Sequence, residues 1–510
     1  MKTSLSHRLL AHGAVYSLSQ LANSSIGFLL LPLYARLIGT DGYGIISVLT
    51  TLGAFLGLLF AQGMQGAWFR LRFDARSQED LRVFETTILW YLAATVSPTV
   101  LLLCLFGNWL MPRVAPGIPF YPLGFLTVIG AALWLVSSLY ERKLQAEQHP
   151  FPFAVYSCFR TILTLVSIVY LVAVLKRGAQ GRIEAGTISA GLTAVIAVYL
   201  LRPASPKHFS VATAKRCLGY GIPLLPHTLA VLANDLVDRL LVNGLLGLGM
   251  TGVYSMGYKV ASLLTVAATA FNQAYVPLFT KALSDTHVLA GKGDCQQSRA
   301  QLRAIEKSGL AFVSGICCLS LYLTAVAREI LLFIATEEFQ ESWEVVALVS
   351  SGTVAISCYY IFAQPMFYDY ALVRFGILVS GSAILLNVAA NLILIPLLGI
   401  MGSAWATFFS NTLMAALSLW FSRKSVKIPY RWTRWLGVLI TTVAGLTVLF
   451  GVDSLLASPC GRLLWKVPLS IAGSFLVLRL GGFSARSLLA IISRDPSGEK
   501  ALPSSNTEII

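Results

Sequence analysis

Charge is the first thing this sequence lacks. Asp, Glu, Lys and Arg make up 12% of its 510 residues, about half the share of roughly 25% carried by soluble domains, so the chain cannot dress a water-exposed globular surface. Negative charge is scarcer than positive, with 23 Asp and Glu against 38 Lys and Arg. The 8 cysteines are scattered, and most of them, Cys104, Cys158, Cys217, Cys317, Cys318 and Cys358, fall inside apolar runs, while Cys460 stands alone near an outer loop. That scatter excludes a disulfide framework and a zinc spacing. The thiols read as small hydrophobes, and no metal or other cofactor is expected. Basic patches interleaved with aromatics on a soluble module are also missing, which excludes nucleic acid as a partner.

What the chain does have is long apolar runs. Hydrophobic residues make up 56% of it and the mean hydropathy is +0.73. Taking segments of about 20 apolar residues as spans gives an all-α polytopic membrane protein of about 14 helices, near 9-37, 43-66, 84-108, 121-140, 152-175, 185-201, 218-244, 250-280, 308-334, 344-370, 375-398, 401-421, 435-457 and 463-481. Met1 to His12 carry Lys2 and Arg8 but no short apolar core with a cleavage site, so the first helix is expected to stay. With both termini cytoplasmic, most Lys and Arg fall on the inner side, as the positive-inside rule requires. Arg70, Arg72, Arg76 and Arg82, then Arg202, Lys207, Lys215 and Arg216, then Arg423, Lys424, Lys427, Arg431 and Arg434 support this orientation, and Lys176, Arg177 and Arg182 oppose it. The loop from Thr336 to Glu344 is acidic and reads as a solvated outer face.

Inside this apolar sequence, Leu218 to Lys281 holds Asn234, Asp235, Asp238, Arg239 and Lys259. Each charge at the centre of a membrane helix costs about 2.5 to 3.5 kcal/mol on insertion scales, so such residues face a bundle interior or a wet cavity. Arg160 is the strongest isolated charge of the first half, with Tyr156 on its own face. It has two readings, a site residue or a side chain reaching the inner interface. Arg36 likewise either snorkels to headgroups or sits at a cavity rim. Tyr360, Gln364 and Asp369 in one span, and Asn387 and Asn391 in the next, either line the same cavity or act as interhelical glue. Asp235 and Asp238 either balance the cations or carry a coupling proton, and an Asp235–Arg239 pair at i, i+4 is the structural alternative.

An internal repeat organises the spans. Gly39-x4-Gly44-Ile45-Ile46-Ser47 recurs as Gly247-x4-Gly252-Val253-Tyr254-Ser255, in both cases between the first two helices of a six-helix half. The expected layout is an N-terminal lobe over 1-201, a linker over 202-216, a C-terminal lobe over 217-421, two added helices over 435-481, and a disordered tail over 482-510. Pro223 and Pro226 should interrupt the seventh helix, and the polar connection 281-307 suggests a surface helix.

Ordered fragments across both halves then resemble a known family. Leu31-Pro32-Leu33-Tyr34-Ala35-Arg36-Leu37-Ile38-Gly39 with Tyr43-Gly44, Tyr220-Gly221-Ile222-Pro223, Asp238-Arg239, Gly252-Val253-Tyr254-Ser255 with Lys259, and Asn391, Ile395-Pro396, Gly399, Gly402 and Ala406-Thr407 are similar to the Wzx-type polysaccharide flippases. These belong to the multidrug/oligosaccharidyl-lipid/polysaccharide exporter superfamily. The resemblance implies two six-helix lobes related by a pseudo-twofold axis around a central cavity. It also implies export of undecaprenyl-diphosphate-linked oligosaccharide across a bacterial plasma membrane, with polysaccharide polymerase and chain-length machinery as possible partners. Arg160, Arg239 and Lys259 would then hold phosphate, and Asn, Gln and Tyr would meet sugar hydroxyls. A lipid II flippase is the nearer alternative. A multidrug cation antiporter would want an acidic cavity, and a membrane glycosyltransferase or ligase would want a large outer loop, which this sequence does not provide.

Overall fold

The computed structural model describes residues 27–202, 205–291, 294–369, 372–456 and 458–483, and all regular structure in them is helical. The α-helices in chain order are α1 (Leu31–Leu37), α2 (Gly39–Ala61), α3 (Met64–Leu71), α4 (Gln78–Val114), α5 (Phe125–Ala146), α6 (Pro150–Ile168), α7 (Gly178–Leu201), α8 (Val211–Gly221), α9 (Leu225–Leu246), α10 (Leu248–Gly291), α11 (Cys295–Ile334), α12 (Ser342–Phe362), α13 (Gln364–Tyr368), α14 (Gly376–Leu398), α15 (Ile400–Ser422), α16 (Trp432–Leu455) and α17 (Pro459–Leu480). Among the described residues, 10 helices are long and apolar enough to cross a membrane, so the chain is a multi-pass membrane protein.

The shortfall from about 14 has a physical cause in three long helices. α9, α10 and α15 run for 22, 44 and 23 residues, but they are not among the ten. Asp235, Asp238 and Arg239 lie in α9, and α15 buries Ser403, Thr407, Ser410 and Asn411. Helices at the centre of a bundle pack polar faces inward, which lowers their hydropathy without shortening them. Of the expected helix over 9-37, the part before residue 27 lies outside the described residues, as does the tail from residue 484.

Helix breaks fall where the sequence supplies them. Gly39 and Gly247 have φ of +73° and +84°, a region glycine enters without steric cost, and they stand at equivalent places in the repeat. Between α8 and α9 the chain tightens into a 3-10 turn at Ile222–Leu224, so Pro223 interrupts this span as expected. α4 opens on a capping box, in which Ser77 Oγ accepts from the Asp80 N–H at 3.0 Å and Asp80 accepts from the Ser77 N–H at 3.1 Å. The linker 202-216 is partly helical, because Ser210 caps α8 by accepting from the Thr213 N–H at 3.2 Å.

The connection 281-307 differs from the expected surface helix. α10 and α11 continue through it as helices of 44 and 40 residues, or about 66 and 60 Å of axis, well beyond a hydrocarbon core of about 30 Å. The segment is polar but rich in good helix formers such as Ala, Gln, Arg and Lys, so loss of hydropathy does not end the helix.

The chain divides into two compact units: residues 1–281 with 323–427, and residues 282–322 with 428–510. The boundaries fall inside α10 and α11. The larger unit has a core built around Trp68, Leu49, Met64, Phe84 and Ile88. In the smaller unit Glu306 is buried and accepts from Trp435 Nε1 at 3.0 Å and from the Arg431 N–H at 3.3 Å. Lys466 donates to both oxygens of Asp453 at 2.8 and 2.9 Å, and Arg462 lies 3.6 Å from the same carboxylate. All three are buried. Asp453→Asn is therefore expected to destabilise the α16–α17 hairpin by about 3–5 kcal/mol, because it strands a buried ammonium. The triple change Asp453→Leu, Arg462→Leu, Lys466→Met, which removes all three buried charges, should recover most of that loss, as thermal denaturation in detergent would show.

Candidate functional site

A cavity of about 980 Å³ lies within the larger unit. Its walls come from α1, α2, α3, α5, α6 and α7 of the first half and from α9 and α10 of the second. Arg142, Arg160, Arg182, Arg239 and Lys259 line it, and Glu141 is the one carboxylate among the described lining residues. Neutral polar groups, including Ser47, Thr50, Gln65, Ser138, Gln145 and Gln273, complete the wall. Hydroxyls, amides and five cations around one acid make a surface suited to an anion that also carries hydrogen-bonding groups.

Four of the five cations are held in four different ways. Arg160 Nη1 lies 2.9 Å from Glu141 Oε1, and the backbone carbonyl of Arg160 accepts from Thr164 Oγ1 at 2.8 Å and Ser189 Oγ at 3.3 Å. The guanidinium of Arg239 stacks over the Tyr258 ring, 4.4 Å from its centroid, which fixes the plane of the fork. Arg182 sits beside Tyr34, and Lys259 lies against Gly27.

At one end of the cavity the two halves meet at the repeat itself. Ser47 Oγ and Ser255 Oγ are 2.6 Å apart, and these residues are 208 positions apart in sequence. A Cβ on Gly44 would strike the Leu248 carbonyl, and one on Gly252 would strike the Thr40 carbonyl. The contact is reciprocal: Thr40, Gly44 and Ser47 meet Leu248, Gly252 and Ser255, each residue facing its own counterpart's neighbourhood. Self-complementary contacts of this kind arise at a twofold axis, and the small residues let the two backbones approach closely.

The structure brings Arg160, Arg239 and Lys259 to one cavity and places elsewhere the other expected site residues whose side chains are described. Asp238 faces away from Arg239, since neighbours on a helix point about 100° apart. It is fully buried and accepts from Thr407 Oγ1 at 2.6 Å, Tyr254 Oη at 2.9 Å and Asn391 Nδ2 at 3.0 Å. Asn391 also donates to the Asn387 carbonyl at 2.8 Å, and Asn387 to Ser410 Oγ at 3.5 Å. Asn234 donates to Asn411 Oδ1 at 3.1 Å, and Asn411 to the Gly352 carbonyl at 3.2 Å. Asp238, Asn387 and Asn391 thus join α9, α10, α14 and α15 in one buried polar network, and Asn234 ties α9 to α15 and α12 through Asn411.

Tyr156 donates to the Thr193 carbonyl at 2.9 Å, behind the cavity wall. Gln364 is buried and donates to Asn272 Oδ1 at 3.3 Å and the Tyr360 carbonyl at 2.9 Å. Neither it nor Tyr360 lines the cavity. Asp369 follows α13, where its N–H donates to the Pro365 carbonyl, and Arg36 is exposed in the last turn of α1. The side chain of Asp235 lies outside the described residues.

Sequence reasoning missed Glu141, Arg142 and Arg182. The first two sit in the run Tyr140-Glu141-Arg142-Lys143, which reads as an interfacial helix end. Arg182 falls before the expected span 185-201, yet α7 begins at Gly178, because Gln180, Arg182 and Glu184 are helical but not apolar.

A helical bundle that crosses the membrane many times around a polar, charge-lined cavity has the architecture of a transporter. Residues 9–283 match the family described as polysaccharide biosynthesis protein. That is more than half of the chain, and the chain belongs to this family. Over 279 residues it is 25% identical to the Lsg locus protein 1 of Haemophilus influenzae, covering 53% of this chain and 65% of that protein. The chain therefore spans slightly less than two thirds of this relative. Among solved structures its fold is similar to that of the lipid II flippase MurJ in an inward closed conformation, at a TM-score of 0.67 and 14% identity, over 93% of this chain and 100% of the other. It is also similar to an inward-facing multidrug resistance MATE family transporter of the MOP superfamily, at 0.62 and 13% over 80% and 97%. A MOP superfamily transporter from Pyrococcus furiosus, described as having a binding pocket of reverse polarity, matches at 0.55 and 14% over 81% and 95%.

Proposed function

We propose that the protein is a flippase that moves undecaprenyl-diphosphate-linked oligosaccharide repeat units from the inner to the outer leaflet of a bacterial plasma membrane. The product would feed synthesis of O-antigen, capsule or exopolysaccharide. The observation that carries this reading is the cavity of a polysaccharide biosynthesis family member in which the described lining residues include five cations and one carboxylate. A diphosphate and many hydroxyls cannot enter hydrocarbon without losing their water. Arg160, Arg239 and Lys259 meet the diphosphate, while the neutral polar wall meets the sugars. The two halves alternate access by separating and closing about the Ser47–Ser255 axis. The protein binds and moves its substrate without making or breaking a covalent bond, so it is a transporter and not an enzyme.

A cationic wall repels the cationic drugs that a multidrug antiporter exports, which sets that reading aside. A lipid II flippase is the second reading, because the MurJ fold extends over 93% of this chain. Deleting the gene separates the two. Accumulation of a lipid-linked oligosaccharide other than lipid II in the inner leaflet is the expected result, and accumulation of lipid II with arrested wall synthesis would replace the first reading by the second.

The same proposal sets the topology. Both termini and the loops 70-82, 202-216 and 281-307 are cytoplasmic, and 336-344 is outside, as the distribution of basic and acidic residues favours. Ser205 and Glu341 are both exposed. In a background without other reactive cysteines, an impermeant thiol reagent should label Glu341→Cys in intact spheroplasts and spare Ser205→Cys. Labelling of position 205 would invert the model.

A further inference from the structure

We propose that Glu141 is a tethered counter-ion: it occupies Arg160 while the cavity is empty, yields it to the phosphate of the substrate, and so sets how easily the cavity releases an anion. The inference rests on the flippase reading and concerns a residue which that reading leaves without a role.

The geometry distinguishes this pair from a structural salt bridge. Elsewhere in the same unit, Arg72 pairs with both Glu85 and Glu147, and Lys143 Nζ adds a contact to Glu85 at 3.0 Å. That cluster closes on itself and uses several guanidinium donors at once. Arg160 has one ionic contact among the described residues, with Glu141 at 2.9 Å, and the two atoms that meet are not aligned as a hydrogen bond. Both side chains line the cavity and keep 19% and 15% of their surface. A guanidinium has five N–H donors, so a single poorly aligned contact leaves most of its capacity for a ligand.

Charge explains why one carboxylate belongs there. Five cations around a cavity repel one another strongly when water is scarce, and a carboxylate on a side chain stays at high effective concentration beside them. An entering phosphate displaces it from Arg160 by offering two oxygens in place of one misaligned contact. When the phosphate leaves, Glu141 returns. Transport needs binding strong enough to capture and weak enough to release, and an internal competitor lowers affinity without removing any binding group.

Inorganic pyrophosphate, which carries the diphosphate without lipid or sugar, tests this by calorimetric titration of the purified full-length protein. Glu141→Gln is expected to bind it on the order of tenfold more tightly than wild type, between the effects of exposed and buried ion pairs. The gain should vanish when Glu141→Gln is placed in an Arg160→Gln background. Glu141→Asp, which keeps the charge but shortens the arm, should fall between wild type and Glu141→Gln and stands in if the Gln variant fails to fold. Equal or weaker binding by Glu141→Gln and Glu141→Asp, or a gain that persists without Arg160, overturns the counter-ion role and leaves the flippase reading intact. Wild-type protein that binds no pyrophosphate at all overturns both.

Discussion

Oxidising a Ser47→Cys, Ser255→Cys double variant should arrest transport completely, and a reducing agent should restore it. The two hydroxyl oxygens are 2.6 Å apart, close enough that sulfur atoms in their place can reach the bond length of about 2.05 Å with modest side-chain adjustment. The cross-link would tie α2 to α10 at the axis where the halves face each other, and the alternating access proposed above requires that contact to open. The serines themselves hold one modest hydrogen bond, so the reduced variant should transport almost normally. Gly252→Val approaches the same joint from the other direction. Its side chain would meet the Thr40 carbonyl and the Gly44 nitrogen, force the halves apart, and cost transport without any bond being formed. Undiminished transport by the fully oxidised protein would show that the halves need not separate here.

This joint was legible in the sequence because a backbone requirement writes itself into residue type. Only glycine permits the left-handed turns at 39 and 247 and the close approach at 44 and 252, and a duplicated requirement appears as a repeated motif. The helical class was legible for a similar reason, since apolar runs of about 20 residues have few other uses. The cavity was half legible. Arg160, Arg239 and Lys259 stand out as charges in apolar runs, which an interior or, near a helix end, the interface must hold. Their neighbours do not stand out. Glu141 sits among Arg142 and Lys143 near a helix end, where charge is ordinary, and Arg182 lies in a polar first turn. The asparagines misled in the other direction. Asn387 and Asn391 share a helix face as the spacing requires, but periodicity does not say whether that face meets a wet cavity or another helix. Here it meets α9 and α15, because the carboxylate of Asp238 offers acceptors that buried amides and hydroxyls must find.

Removing the cavity cations should abolish export while leaving folded protein in the membrane. Arg160→Ala, Arg239→Ala and Lys259→Ala are each expected to lower transport about 10- to 100-fold. That range follows from about 1.5–3 kcal/mol for a hydrogen bond to a charged group and from tenfold per 1.4 kcal/mol. The triple variant should be inactive. Stability should change less than export, because these groups face the cavity and what they lose is contact at its wall, such as the Tyr258 stacking of Arg239 and the Glu141 contact of Arg160. Arg239→Lys should be nearly as damaging as Arg239→Ala. Lysine keeps the charge but loses the planar fork that grips phosphate from two sides and stacks on Tyr258. Asp238→Asn supplies the contrast. Its amide would set donors against those of Thr407, Tyr254 and Asn391, so the protein should lose about 1–3 kcal/mol of stability. Detergent melting curves and an export assay on the same variants therefore separate two kinds of intramembrane charge. Asp238 should move the melting temperature, and the three cations should move export. Normal export by the triple Ala variant would overturn the proposed role of this cavity in holding a diphosphate.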